Sequence, residues 1–308
     1  MKTVSIVIPC YRDSATLERA IKSVLAQSYP AIEVIVVNDC SPESEEIESI
    51  VARYPKVRYL RNDTNLGLAA SRNAGIAVAS GDYIALLDAD DEYHPDKIAA
   101  QIAAAEQGVA LTCGVTHVSA DGHRKSSRIS NRGLRIFVTP EQIIFRNTLN
   151  GAGLFIERDL FLAHGCFDAS LRSCEDFDLW LRLLLQGVKI KDIGQPLYFY
   201  HVNPAGLSKN LLNISKWEVV AILKYVDRVG EAWLRSWVGI SVVFFWLFRQ
   251  MMRYELHPST DLRQQISINI DSLISTPFLR TFLHSIQKSH FLFLPAQILR
   301  VRNLVFHL

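Results

Sequence analysis

Four carboxylates crowd into five residues at Asp88-Ala89-Asp90-Asp91-Glu92, directly behind the apolar stretch Tyr83-Ile84-Ala85-Leu86-Leu87. Like charges packed at a strand end repel one another unless a cation compensates them. Hard carboxylate oxygens select Mg2+ or Mn2+, and such ions commonly hold substrate phosphates with only one or two protein carboxylates. A solvated acidic turn is the alternative, since an isolated D-x-D is a frequent pattern. Two more polar sets follow apolar runs: Pro9-Cys10-Tyr11-Arg12-Asp13 and Asn38-Asp39-Cys40-Ser41. There an aromatic ring can stack on a base, and a carboxylate can accept a hydrogen bond from a ring N–H or a ribose hydroxyl. Equally, Tyr11 can cap a sheet and Asp39 can open a turn. Glu175 and Asp176 stand ahead of an apolar stripe formed by Leu179, Trp180, Leu183 and Leu184, where acids complement the positive end of a helix.

A scaffold must bring these strand ends together. Val4–Ile8, Ile32–Val37, Val57–Leu60, Tyr83–Leu87 and Val109–Val118 are the expected strands. The first, second and fourth are apolar on both faces, as buried parallel strands require. One helix is expected after the capping residues Asp13 and Ser14, with Leu17, Ile21, Val24 and Leu25 on a single stripe. Another is expected over Leu68–Ala79 and a third from near Pro95, a residue suited to a first helical turn. The order β-α-β-α-β-α-β-α-β implies an α/β protein with an open sheet covered on both faces, and ligands bind beyond the carboxyl ends of such strands. Pro9, Tyr11, Asp39 and Asp88 all fall on that edge. No G-x-G-x-x-G follows the first strand, which argues against a dehydrogenase-type dinucleotide domain.

The 308 residues suffice for one large domain and a smaller appendage. An apolar fraction of 49% with 21% charged residues belongs to a globular chain and excludes a disordered one. The net charge of +2 hides an asymmetry: residues 1–208 hold 21 Lys and Arg against 25 Asp and Glu, whereas 209–308 hold 12 against 6. Two regions with different surroundings are expected. Cys10, Cys40, Cys113, Cys166 and Cys174 make an odd count without a CxxC pair, which fits a reducing, cytoplasmic compartment. No apolar signal segment follows Met1, so export is not expected. The longest apolar run, Trp237–Phe248, lies between Arg235 and Arg249 and is too short to span a bilayer.

The stretch Asn65-Leu66-Gly67-Leu68-Ala69-Ala70-Ser71-Arg72-Asn73-Ala74-Gly75, leading through Gly81-Asp82-Tyr83 to Asp88-Ala89-Asp90-Asp91, closely resembles the family 2 glycosyltransferases of the GT-A fold. So does the opening Val4-Ser5-Ile6-Val7-Ile8-Pro9-Cys10-Tyr11. The resemblance covers about residues 3–208. It implies an open, mixed, mainly parallel sheet sandwiched by helices, of the nucleotide-diphospho-sugar transferase type, with a nucleotide-binding half at 1–118 and an acceptor half at 119–208. It further implies that Pro9, Tyr11 and Asp39 meet the nucleotide base with Arg72 nearby. Asp88 and Asp90 become the D-x-D pair, meeting ribose and a diphosphate bound to Mn2+ or Mg2+, with Asp91 as a third member. The segment His164–Asp168 followed by Ser173-Cys174-Glu175-Asp176-Phe177-Asp178 resembles the one carrying the family's E-D motif. By that likeness Asp176 is the general base, taking the acceptor hydroxyl proton as oxygen attacks the anomeric carbon, and Glu175 positions. Inverting, single-displacement transfer from a nucleotide-sugar, with UDP as the expected nucleotide, is what this implies.

Tyr198-Phe199-Tyr200-His201-Val202-Asn203 departs from the family pattern, for Asn203 stands where a metal-holding histidine is usual. Either His201 replaces that ligand from a shifted register, or the ligand is missing. Processive members carry Q-x-x-R-W with transmembrane helices; this chain has neither, so one sugar per encounter is expected. Polar, basic Ser119–Arg135, with Arg124, Lys125, Arg128, Arg132 and Arg135, reads as a flexible loop, either a lid over the diphosphate or ordinary surface. Residues 209–308 lie outside the resemblance and are expected to be mainly helical. Trp217, Trp233, Trp237 and Phe244–Trp246, with Phe278, Phe282, Phe291 and Phe293, mix there with basic residues. Such helices can lie against a membrane face, pack on the catalytic domain, or join copies of the chain. A sugar, glycolipid or polysaccharide acceptor fits the enzyme reading, in cell-surface polymer or glycolipid synthesis. An inactive nucleotide-sugar-binding scaffold is the alternative, and no nucleic-acid motif is present.

Overall fold

The computed structural model describes residues 1–126, 136–145, 147–203, 206 and 210–234, together with 246, 261, 264 and 265. The chain divides into two compact units, Met1–Lys209 and Asn210–Leu308. The first opens with β1 (Val4–Cys10), α1 (Ser14–Leu25), β2 (Ile32–Asn38), α2 (Ser44–Ala52), β3 (Val57–Arg61), α3 (Leu68–Val78) and β4 (Tyr83–Leu86). β5 (Glu92–Tyr93), α4 (Lys97–Ala104), β6 (Val109–Val118), β7 (Arg124–Ser126), β8 (Ile136–Phe137) and α5 (Pro140–Phe145) follow. It ends with β9 (Phe155–Glu157), α6 (Arg158–Ala163), α7 (Glu175–Leu185) and β10 (Lys189–His201). The sheet runs β3-β2-β1-β4-β9-β6-β10-β5, with β7 added to β6 and β8 to β10.

Every residue of β1 is buried, because β2 and β4 pair with it in parallel and helices cover both faces. The β1–β4 ladder ends at the Val7–Leu86 register pair. Pro9, two residues on, has no N–H with which to extend it, so the strand ends separate just where a ligand edge is needed. β9 then enters antiparallel between β4 and β6, and β10 runs parallel to β6. This insertion carries the second half of the chain onto the same edge as Asp88.

α3 lies close on the sheet through a glycine. A Cβ on Gly75 would fall 2.4 Å from Val7 Cγ1 and 3.0 Å from Val37 Cγ2. Gly75→Ala gains roughly 1 kcal/mol of helix propensity, yet overpacking of this kind costs typically about 1–3 kcal/mol. A net loss of stability is expected in urea melts; a gain would show that the close approach is not what requires glycine.

The basic segment is not wholly a loop. Arg124–Ser126 pairs antiparallel with Thr116–Val118, closed by a turn in which Ser119 N–H donates to His123 O at 3.0 Å. Arg128, Arg132 and Arg135 lie outside the described residues. In the second unit, α8 (Leu211–Leu234) is broken at Gly230 (φ 73°, ψ 177°), with Val219, Ala221, Ile222, Tyr225 and Val226 buried. Among the described residues no helix is long and apolar enough to cross a membrane. The run Trp237–Phe248, apart from Trp246, the side chain of Trp233, and Phe278, Phe282, Phe291 and Phe293 lie outside the described residues.

Candidate functional site

The ends of β1 and β2 turn sharply, with Arg12 (φ 61°) and Cys40 (φ 53°) both left-handed. Arg12 N–H donates to Ser41 Oγ at 3.0 Å and Asp39 N–H to Cys10 O at 3.0 Å, which locks the two turns together. Tyr11 is left 38% exposed, with the Arg12 guanidinium 5.3 Å from its ring centre, so one aromatic face stands at the edge. Asp39 is buried and heavily bonded. Its Oδ1 accepts from Asn62 Nδ2 (2.8 Å) and Leu66 N–H (2.9 Å), and its Oδ2 from Gly67 N–H (2.8 Å). It therefore ties down the loop ahead of α3, with remaining lone pairs for a ligand.

Arg72, expected near the nucleotide, is 2% exposed and spans two carboxylates. Nη2 meets Asp88 Oδ1 at 2.7 Å and Nη1 meets Glu175 Oε1 at 2.8 Å, with the Phe167 ring centre 5.3 Å from Cζ. The next residue repeats the link, since Asn73 donates to Phe167 O (2.8 Å) and accepts from Phe167 N–H (3.0 Å). Consecutive residues of α3 thus clamp the Phe167 loop and α7 onto the strand end that carries the D-x-D.

The acidic cluster splits into two environments. Asp91 is 1% exposed; its oxygens accept from Tyr198 OH (2.8 Å) and His201 N–H (2.7 Å), and burial with the charges of Asp88 and Asp90 pushes it up to about 8. His201 Nε2 lies 2.7 Å from Glu92 Oε1, which also pairs with Arg19 at 3.3 Å. Asp91 and His201, both expected at the metal, fasten β10 over the acidic turn through these bonds. Asp88 and Asp90 remain at the edge. Burial and the Asp88 charge raise the Asp90 pKa, while a hydrogen bond from Asn203 draws it down. Asp13, read from sequence only as a cap, is pushed up to about 6 by burial and by the nearby Asp90 and Asp88 charges.

Among the described residues no three His, Cys, Asp or Glu side chains gather as a preformed metal cage. Two mutually repelling carboxylates fit an ion of the Mg2+ or Mn2+ kind, which completes its shell with phosphate and water.

α7 begins at Glu175 after a left-handed Cys174 (φ 57°). Asp176 Oδ1 accepts its neighbour's Phe177 N–H at 2.7 Å, the helix-start contact expected of an acid in a first turn. Burial first, then the Glu175 charge, pushes Asp176 up to about 7, against the pull of Arg72. A residue that sequence reasoning passed over seats it: a Cβ on Gly151 would fall 2.6 Å from Asp176 Cβ and 2.9 Å from Oδ2. Gly151 opens a 3-10 turn, Gly151–Gly153, capped by Asn150, whose Oδ1 accepts from Ala152 N–H at 3.1 Å. The only sequence signal was the Gly-Ala-Gly spacing itself.

Comparison with known proteins bears on this arrangement. The description "Glycosyl transferase family 2" matches residues 5–177, more than half of the chain. An uncharacterized glycosyltransferase of Haemophilus influenzae is 29% identical over 241 residues, covering 74% of this chain and 79% of that protein. Succinoglycan biosynthesis protein ExoO of Rhizobium meliloti is 31% identical over 220 residues, 68% of this chain and 63% of its own length. Of two rickettsial glycosyltransferases that it also matches, the chain spans 58% of the length. The crystal structure of S. aureus TarS 1-349 in complex with UDP-GlcNAc superposes with TM-score 0.64 at 16% identity, covering 88% of this chain and 80% of that one. At that identity the likeness speaks for the fold, which is GT-A. Sequence match and architecture agree: the chain belongs to glycosyl transferase family 2.

Proposed function

We propose that this chain is an inverting glycosyltransferase that moves one sugar from a UDP-sugar to an acceptor hydroxyl in polysaccharide or glycolipid assembly. One observation carries the reading: Arg72 joins Asp88 at the donor edge to Glu175, the immediate neighbour of Asp176. Donor and base halves are thereby held in one constellation, as single displacement requires. Tyr11 and Asp39 hold the base and ribose side. Asp88 and Asp90 would hold Mg2+ or Mn2+, which neutralises charge on the departing diphosphate when bound. Asp176, with a pKa pushed up to about 7, takes the acceptor proton near neutral pH. ExoO, named for succinoglycan biosynthesis, supports a polymer acceptor, and the UDP-GlcNAc complex of TarS supports a UDP donor.

Incubation with a panel of nucleotide-sugars and Mn2+ is expected to release UDP, read by mass spectrometry. Release should stop with EDTA and return on adding Mn2+. No release from any donor would leave the scaffold reading, and release that survives EDTA would remove the metal from the mechanism.

A further inference from the structure

Beneath the site lies a lysine where a lysine is costly. Lys97 and Gln101, one turn apart on α4, are both 0% exposed. Among the described residues Lys97 makes no ion pair. Its Nζ donates to Gln101 Oε1 at 2.8 Å and lies 4.0 Å from the Tyr93 ring centre. Burial alone lowers its pKa to about 8. Apolar residues of similar volume would fill this space without desolvating an ammonium, so packing does not explain the pair.

Its connections lead to both halves of the site. Tyr93 OH donates to Leu86 O, at the end of the strand that delivers Asp88. Gln101 Nε2 donates to Gly153 O at 3.1 Å. Gly153 N–H in turn donates to Asn150 O at 2.9 Å, closing the turn whose Gly151 lies against Asp176. Because Lys97 takes the Gln101 oxygen, the amide nitrogen is left pointing at Gly153 and cannot flip without losing both bonds.

We propose that Gln101, oriented by buried Lys97, is a positioning residue for the transfer reaction: it fixes the Asn150–Gly153 turn and thereby sets where the Asp176 carboxylate stands. This rests on Asp176 being the base. Gln101 bonds Lys97 and Gly153, not the side chains of Tyr11, Asp39, Asp88 or Asp90 at the nucleotide edge. Its loss is therefore expected to displace the base more than the nucleotide.

The test uses the full chain, with the donor found in the nucleotide-sugar panel and UDP with Mn2+ as the binding probe. In Gln101→Leu, kcat is expected to fall by roughly 10- to 100-fold, the scale of a misplaced catalytic group. Donor KM and the Kd for UDP should change by less than about twofold. Gln101→Glu keeps, and strengthens, the Lys97 pairing but cannot donate to Gly153 O; it guards against a Gln101→Leu chain that fails to fold, and its kcat should fall in the same way. Unchanged kcat in the folded variants would overturn the proposal, as would kcat and UDP affinity falling together. Asp176→Asn separates the two readings: if it abolishes turnover while both Gln101 variants keep full kcat, only this inference falls. If Asp176→Asn keeps full turnover, the base assignment falls and takes this inference with it.

Discussion

Asp176→Asn is expected to cut sugar transfer by roughly 10²- to 10⁴-fold, the usual worth of a positioned general base, while UDP binding stays within about twofold. The amide is isosteric with the carboxylate and can still accept from Phe177 N–H, so the start of α7 need not change. What it cannot do is take a proton. In the parent chain kcat should rise with pH through about 7 as Asp176 ionises, and that limb should vanish from the residual rate of the variant. Stability moves the other way. Folding raises this pKa from 3.8 to about 7, chiefly through burial, so the folded chain holds the proton more tightly than the unfolded one. The Asp176 contribution to stability therefore declines as pH rises across that interval. A neutral asparagine avoids the desolvation, and the variant should melt no lower than the parent at pH 8. UDP affinity falling as far as turnover, or a pH limb that persists, would remove Asp176 from the base role.

The acidic cluster is divided where the sequence shows one surface, and the reason is long-range. D-A-D-D-E reads as one acidic surface, but Tyr198 and His201 arrive from more than a hundred residues away and take Asp91 into the interior. No local pattern announces that. His201 was open to a metal because a histidine near an acidic turn is ambiguous by type alone; its Nε2 is spent on Glu92. Asn203, the residue that broke the family pattern, instead supports Asp90 by a hydrogen bond.

The first half of the fold was legible because buried parallel strands are unbroken apolar runs. β1, β2, β3 and β4 fall within two residues of their expected spans and β6 on it. The stripe of Leu17, Ile21 and Val24 marked α1 for the same reason. β9 is three residues long and pairs antiparallel with β4, some seventy residues earlier, so nothing in its own composition marks it. β10 was seen only as its aromatic end, since Gly194 and Pro196 interrupt the pattern and coincide with its register shifts. The site shows the same division. Arg72 was visible as part of a motif, but its partners were not. Lys97 was invisible because lysine is almost never fully buried, and a helix starting near Pro95 would ordinarily turn it to solvent.

Arg72→Met is the change expected to damage the molecule most broadly. Its guanidinium offers two donors in one plane, one to Asp88 and one to Glu175. Methionine fills much of the volume but leaves Glu175, 8% exposed, as a buried charge without its partner. Breaking a buried pair from one side costs about 3–5 kcal/mol. At roughly 2–4 °C per kcal/mol for a unit of this size, the melting temperature should fall by about 6–20 °C. Lysine in the same place separates charge from geometry. Its single ammonium can face Asp88 or Glu175 but cannot fork between carboxylates from two halves of the fold. Arg72→Lys should therefore restore much of the stability while leaving turnover low. Part of that deficit has a defined direction: Arg72 holds the Asp176 pKa down against burial and Glu175. Moving the positive charge away should shift the acid limb of kcat to higher pH. Full turnover in Arg72→Lys with an unmoved limb would mean that the Asp88–Arg72–Glu175 bridge only holds the fold, and that donor and base halves find each other without it.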